Sequence, residues 1–156
     1  MKVAARRPPS PSPMELALAQ ARAAAARGEI PVGAVIVRAR SPIASAGNRT
    51  VELRDPTAHA EMLAIRAAAA VIGSERLNDC DLYVTLEPCA MCAAAISLAR
   101  LRRLYFGAYD PKMGGVEHGA RFFSQPTCHH RPEVYGGIAQ SESAKLLQEF
   151  FRNRRD

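Results

Sequence analysis

The chain has 156 residues, 48% of them hydrophobic, and a formal net charge of +6. This size and apolar content suit one soluble domain with a sizeable core. A membrane-spanning helix is excluded, because Arg66, Glu75 and Arg76 interrupt the longest apolar run before it reaches the roughly 18 to 20 residues required. The positive charge would suit a polyanionic partner, although many basic proteins bind no nucleic acid.

The N-terminal segment is basic and rich in proline and serine, and it lacks the apolar centre of a secretory signal. We therefore predict a disordered tail over residues 1–13 and a single domain over residues 14–156. The four cysteines, in a chain without an export signal, favour a reducing compartment, where cysteines bind metal more often than they form disulfides. We expect a cytoplasmic protein.

Helices and strands alternate in the predicted secondary structure. Apolar residues at intervals of three and four predict helices, and runs of β-branched and aromatic residues predict strands. In chain order, we predict a helix at 14–27, strands at 32–37 and 43–46, a helix at 56–72, a strand at 82–86, a helix at 89–99, strands at 101–106 and near Val134, and a helix at 141–155. Because helices separate most strands, we expect a mainly parallel sheet with helices on both faces, antiparallel only in the first hairpin.

Two short sequences, far apart in the chain, could together bind a metal ion. His59-Ala-Glu61 is followed by Pro88-Cys-Ala-Met-Cys, which matches the H-x-E and P-C-x-x-C pattern of zinc-dependent deaminases. Cys89 and Cys92 lie three residues apart at the predicted start of a helix, so both sulfur atoms share one face near its positive end, which favours thiolates. With His59 they give three ligands to Zn²⁺, and the fourth tetrahedral position stays open for water, as in catalytic sites.

Glu61 is the predicted proton carrier of this site. Two thiolates cancel the charge of the zinc ion, so a bound water is acidified less than at an all-histidine site and needs a neighbouring base. In an ideal helix, side chains two residues apart point about 200° from each other. We therefore expect the helix to begin near His59, with this histidine at its edge.

Two alternatives use the same cysteines without deaminase chemistry. A CxxC pair can serve redox chemistry, although that does not require a histidine and a glutamate elsewhere in the chain. A closed structural zinc site would take a fourth ligand from Cys80, Cys128, His129 or His130 and leave no position for water. Cys80 taken alone is more typical of a small buried hydrophobic residue.

From Met14 onward, the chain resembles the bacterial tRNA-specific adenosine deaminases of the cytidine deaminase superfamily. The resemblance rests on PVGAV from Pro31, GNR from Gly47, DPTAHAE from Asp55, LYVTLEPCAMC from Leu82, FGAYDPK from Phe106 and FFRNRR from Phe150. It implies a three-layer α/β/α cytidine deaminase-like fold with a central five-stranded mixed sheet, one Zn²⁺ per subunit, a homodimer, and a tRNA anticodon stem-loop as partner. The implied reaction is hydrolytic deamination of adenosine to inosine at the wobble position of an arginine tRNA with the ACG anticodon, releasing ammonia.

The resemblance also implies roles for residues around the metal. In such enzymes the target base is turned out of the anticodon loop into the zinc pocket, where Glu61 would protonate the base and the departing ammonia. Asn48 should hydrogen-bond the base. Contacts to the anticodon loop and its phosphates are implied for Asp110, Lys112, Phe151 and Arg152. Simpler roles exist, because Asn48 suits a turn, Phe150 suits a core position, and arginines suit the negative end of a helix.

The chain departs from the family pattern at two places. Residues Arg38 to Pro42 replace a small polar hairpin turn, and His129 stands where the family often has asparagine. Two other functions also fit the sequence. The same metal motif serves deaminases of free nucleobases or nucleosides, such as guanine or cytosine, and the net charge would suit a non-catalytic, zinc-stabilised RNA-binding module.

Overall fold

The arrangement of helices and strands is given by a computed structural model that describes residues 4–5 and 9–154. These residues form α1 (Pro13–Ala26), β1 (Gly33–Arg38), β2 (Ser41–Gly47), α2 (Ala60–Ile72), β3 (Cys80–Leu86), α3 (Ala90–Ala99), β4 (Arg103–Ala108), β5 (Glu133–Tyr135) and α4 (Gln140–Arg152), with a short 3-10 helix at Phe122–Ser124. None of the helices in these ranges is long and apolar enough to cross a membrane. The strand order β2-β1-β3-β4-β5 confirms the predicted five-stranded α/β fold for the described chain.

Strand β1 runs antiparallel to both of its neighbours, β2 and β3, whereas β3–β4 and β4–β5 are parallel pairs. The prediction that only the first hairpin is antiparallel is therefore wrong at β1–β3. The connection through α2 does make β3 parallel to β2, as a helical crossover should. Because β1 lies between these two strands, it is antiparallel to each of them, and the sheet is mixed.

Helices cover both faces of the sheet, and the side chains of each strand alternate between them. In β1, Ala34 and Ile36 join the core that includes residues of α2 and α3, whereas Val35 and Val37 pack with residues of α1. Leu146 of α4 packs against this second cluster. The three-layer α/β/α arrangement predicted from the family resemblance is thus confirmed.

The hairpin between β1 and β2 turns through Ala39 and Arg40, whose φ angles are 49° and 65°. Two central residues with positive φ form the tight turn whose twist matches antiparallel strands. Pro42 lies in β2, at the edge of the sheet, where its missing N–H need not serve a second neighbouring strand. The unusual sequence therefore retains a common hairpin geometry.

Helix α1 begins at Pro13, slightly earlier than predicted. The Ser12 hydroxyl accepts a hydrogen bond from the N–H of Glu15, and the Glu15 carboxylate accepts one from the N–H of Ser12, so the two residues form a capping box. The helix therefore begins one residue before the boundary predicted between tail and domain. The described residues do not include residues 1–3 and 6–8 of the predicted tail, or residues 155–156 at the other end of the chain.

Candidate active site

Helix α2 begins later than predicted, and this positions His59. The start predicted at Pro56 is wrong, because Asp55 Oδ1 accepts hydrogen bonds from the backbone N–H and the hydroxyl of Thr57, at 2.8 and 2.7 Å, and holds the chain in a turn. The first helical residue is Ala60, and His59 is the N-cap with an extended backbone. The expectation that His59 stands at the edge of this helix is confirmed.

Asn48 caps α2 in place of His59. Its Oδ1 accepts a hydrogen bond of 2.9 Å from the N–H of Ala60, while the side chain of His59 makes no capping hydrogen bond. An N-cap side chain ordinarily accepts from the N–H of the second or third helical residue, whereas Asn48, just after β2, satisfies the N–H of the first. The imidazole of His59 makes no capping bond and is therefore free to bind a metal ion.

Three possible metal ligands converge where α2 and α3 begin. The Nδ1 atom of His59 lies 3.7 Å from the Sγ of Cys89, the N-cap of α3, and 3.6 Å from the Sγ of Cys92. Tetrahedral zinc, with Zn–S bonds of about 2.3 Å and a Zn–N bond of about 2.0 Å, holds nitrogen and sulfur about 3.5 Å apart. The side chains therefore have the spacing of a zinc site, and they form the candidate metal-binding cluster of the described residues.

The two thiols ionise differently because each side chain affects the charge of the other. The pKa of Cys89 falls to about 4, chiefly because the Cys92 side chain stabilises its thiolate, and His59 adds to the effect. The Cys89 side chain in turn raises the pKa of Cys92, and burial raises it further. A dication bound by both sulfur atoms would stabilise both thiolates, so the chemistry of this pair fits a metal ion.

The residues considered as a fourth ligand lie elsewhere. Cys80 is fully buried in β3, where burial raises the pKa of its thiol to about 11. The Cys128 thiol donates to the carbonyl of His130 at 3.1 Å, the His130 ring lies 2.6 Å from the carbonyl of Leu101, and His129 is exposed. In the part of the chain that the structure describes, these residues lie outside the ligand cluster, which argues against a closed site. The prediction of Cys80 as a buried hydrophobic residue is confirmed.

Glu61 is buried beside the ligands. It lies in the first turn of α2 and its surface is 4% exposed. Burial raises the pKa of its carboxyl group, and the negative charge of Cys89 raises it further. A carboxyl group whose pKa moves up toward neutrality can both accept and donate protons.

The metal ligands His59 and Cys89 line a cleft of about 1160 Å³, together with Glu61. The residues predicted to contact the base or the RNA also line this cleft: Asn48, Asp110, Lys112, Phe151 and Arg152. They come from the end of β2, the loop after β4 and the end of α4. The structure therefore brings the predicted site residues together, although they are far apart in sequence.

The end of α4 forms one side of the cleft. Phe151 is 45% exposed and meets Phe150 edge to face, with ring centres 5.5 Å apart. Phe150 is half-buried, and the guanidinium of Arg154 lies 4.3 Å from the centre of its ring. The core role predicted for Phe150 is not borne out, because the residue belongs to neither hydrophobic cluster of the described residues. Arg152 is exposed.

Glu87 is a cleft residue that the sequence did not single out. Its side chain is fully buried, and it accepts hydrogen bonds from the backbone N–H groups of Asp110 and residues 116–118 and from the ring of His118. Burial raises the pKa of Glu87, but these donors outweigh that effect and hold the pKa below its usual value. One sequence feature could have identified Glu87, namely a charged residue placed directly between an apolar strand and Pro88.

Known proteins that resemble this chain include several deaminases. Residues 11–108 match the family described as the cytidine and deoxycytidylate deaminase zinc-binding region. The chain is 64% identical over 129 residues to the tRNA-specific adenosine deaminase of Agrobacterium fabrum, covering 83% of this chain and 85% of the relative. It is 49% identical over 133 residues to the tRNA-specific adenosine deaminase of Rickettsia bellii, covering 84% and 92%.

Solved structures show the same fold in enzymes with different substrates. A structure from a study of A-to-I editing by tRNA:A34 deaminases at the wobble position of tRNA matches with a TM-score of 0.86 and 64% identity, covering 86% of this chain and 98% of that chain. The guanine deaminase of Nitrosomonas europaea matches with a TM-score of 0.76 and 25% identity, covering 88% and 82%. Of these two, the tRNA:A34 deaminase structure is the more similar to this chain in sequence.

Proposed function

Because the chain belongs to the tRNA-specific adenosine deaminases, within the cytidine and deoxycytidylate deaminase family, we propose that it deaminates adenosine to inosine at the wobble position of a tRNA. The proposal rests on one observation. Zinc ligands, the buried Glu61 and the exposed Phe151 line a single cleft, so a base bound at the metal could belong to an RNA held by the surrounding side chains.

The chemistry requires one proton carrier close to the metal. His59, Cys89 and Cys92 would hold one Zn²⁺ per subunit, which would supply a Lewis acid to activate water with the help of a neighbouring base. Glu61 takes a proton from the attacking water and delivers it to the ring nitrogen beside the reacting carbon. It then passes the second water proton to the amine, which leaves as ammonia. The raised pKa of Glu61 suits both directions of transfer.

Asn48 is the residue proposed to recognise the base. Its Oδ1 is occupied by the N–H of Ala60, so the side-chain amide can offer its N–H donors to the cleft. A purine base presents ring nitrogens as acceptors. One side chain can therefore fix the start of α2 and select a base that accepts hydrogen bonds.

Two features favour RNA over a free nucleobase. The cleft of about 1160 Å³ exceeds the roughly 300–1,000 Å³ of typical small-molecule pockets. Phe151, at 45% exposure, can stack on an unpaired base, while the exposed Lys112 and Arg152 can neutralise phosphates. Binding of an anticodon loop requires a large cleft, stacking on unpaired bases and contacts to phosphates. Binding of free guanine or cytosine does not require them.

The active form is proposed to be a homodimer. Helix α3 carries apolar residues around most of its circumference, and such a helix is ordinarily buried. Leu98 on α3 is nevertheless 79% exposed, and Val71 on α2 is 65% exposed. A second copy of the chain would cover this apolar surface. A tRNA substrate and free cysteines in the described chain fit the cytoplasm.

The finer substrate proposal is the arginine tRNA with the ACG anticodon, supported by the family resemblance along the chain. Incubating the zinc-loaded protein with this anticodon stem-loop should yield wobble inosine and an equal amount of ammonia. Glu61→Ala should abolish turnover and retain zinc. Rapid deamination of free guanine or cytosine without activity on the stem-loop would decide for the nucleobase alternative. Equal rates on stem-loops with other anticodons would contradict the ACG preference.

A further inference from the structure

A buried carboxylate organises the loop that forms one side of the cleft. This loop, residues 109–118, follows β4 and is called the recognition loop below. Several of its residues line the cleft: Tyr109, Asp110, Lys112 and Met113. We propose that Glu87 is a positioning residue for RNA binding, because it holds the recognition loop in the geometry that contacts the anticodon stem-loop. This inference rests on the RNA substrate proposed above.

Glu87 binds both ends of the recognition loop. Its Oε1 accepts hydrogen bonds from the backbone N–H of Asp110 at 3.1 Å and from the His118 ring at 2.8 Å. Its Oε2 accepts from the backbone N–H groups of residues 116, 117 and 118, at 3.2, 3.0 and 3.1 Å. A single side chain thus fixes where the loop leaves β4 and where it returns.

The middle of the recognition loop is folded closely around this carboxylate. A Cβ atom added to Gly114 would overlap Oε2 of Glu87 and the carbonyl oxygen of Asp110. The N–H of Gly114 donates to that same carbonyl at 2.9 Å. Asp110 Oδ1 in turn accepts from the N–H groups of Lys112 and Met113, at 3.1 and 3.0 Å. The exposed Lys112 is therefore presented by a chain of contacts that begins at Glu87.

The contacts of Glu87 serve the recognition loop and not the metal ligands. A buried carboxylate is costly unless donors surround it, so a residue needed only for packing would be apolar. The loop also touches the metal-binding segment, because Gly114 pairs with Cys89 and the N–H of Gly115 donates to the carbonyl of Pro88 at 2.8 Å. Those two contacts do not involve the carboxylate of Glu87, so its loss should loosen the loop where it returns and leave zinc in place.

Glu87→Gln in the full zinc-loaded chain tests the proposal. The control is Glu133→Gln, at an exposed glutamate of β5 that accepts from the side chains of Arg103 and Tyr135, outside the cleft. Glutamine replaces one acceptor oxygen by a donor that faces backbone N–H groups. We expect KM for the ACG stem-loop to rise by about tenfold or more, with kcat changed by less than about threefold. Zinc content should stay at one per chain, and amide hydrogen exchange of residues 116–118 should accelerate. The control should match the wild type.

One milder variant keeps the test decisive if Glu87→Gln does not fold. His118→Ala removes one donor to the carboxylate, so it should show the same pattern with a smaller amplitude. Faster exchange at unchanged KM would overturn the proposal, and so would zinc loss at unchanged KM. A wild-type protein inactive on the stem-loop would instead refute the proposed function, which distinguishes the two failures.

Discussion

Replacing Asn48 with alanine tests both of its proposed roles. The variant leaves the buried N–H of Ala60, now bonded at 2.9 Å, without its acceptor. Losing that partner should lower the free energy of unfolding by about 1–3 kcal/mol. If the amide also donates to the base, the transition state loses a hydrogen bond worth a further ~1–3 kcal/mol, which corresponds to about 5- to 150-fold in kcat/KM.

A second capping residue far from the cleft provides the control. Ser12→Ala removes the N-cap of α1, whose hydroxyl accepts from Glu15, and should cost about 0.5–2 kcal/mol of stability. Urea unfolding of both zinc-loaded variants gives their stabilities, and deamination of the ACG stem-loop gives kcat/KM. Asn48→Ala should lose activity beyond its loss of stability, whereas Ser12→Ala should not. Equal kcat/KM in the two variants would refute base recognition and leave Asn48 as a capping residue.

Other variants test the metal, the proton carrier, the RNA contacts and the dimer. Cys92→Ser should lose zinc and activity together, whereas chelator-treated wild type should regain both when Zn²⁺ is added; activity without zinc would contradict the assigned ligands. Glu61→Gln should keep its zinc, measured by atomic absorption, and lose about 10²- to 10⁴-fold in kcat. Phe151→Ala and Arg152→Ala should raise KM for the stem-loop, and the arginine variant should reduce the salt slope of binding by about one; unchanged binding in both would remove α4 from the interface. Leu98→Arg should sediment as a monomer, and a stable dimer would locate the contact elsewhere.

The metal site could be predicted because its chemistry is concentrated in short motifs. His59 and Glu61 are two residues apart, and Cys89 and Cys92 are three apart, so residue types and spacing alone indicate a zinc ligand set with an acid–base partner. The distance in space between the two motifs could not be predicted from the spacing of residues in the sequence. It depends on α2 and α3 beginning side by side, which is a property of the whole sheet.

The errors arose where a local turn was overlooked or where distant residues override the local pattern. Pro56 and Thr57 suit the start of a helix, but Asp55 binds Thr57 in a turn and Asn48 caps the helix later, from twelve positions before Ala60. The β1–β3 pair was missed because strand order is not encoded in the periodicity of either strand. Glu87 was overlooked because its partners lie 23 to 31 residues further along the chain.

The location of the cleft follows from the direction of three strands. β1 is antiparallel to both β2 and β3, and β4 is parallel to β3, so β2, β3 and β4 have their carboxyl ends at the same edge of the sheet. Asn48, Glu87 and Tyr109 are the first residues beyond these ends. Ligands of open α/β sheets bind outside the carboxyl ends of strands. The same edge holds the positive ends of α2 and α3, which favour metal-bound thiolates and would favour a polyanionic substrate. The hairpin turn between β1 and β2 lies at the opposite edge, so its departure from the family sequence leaves the chemistry untouched.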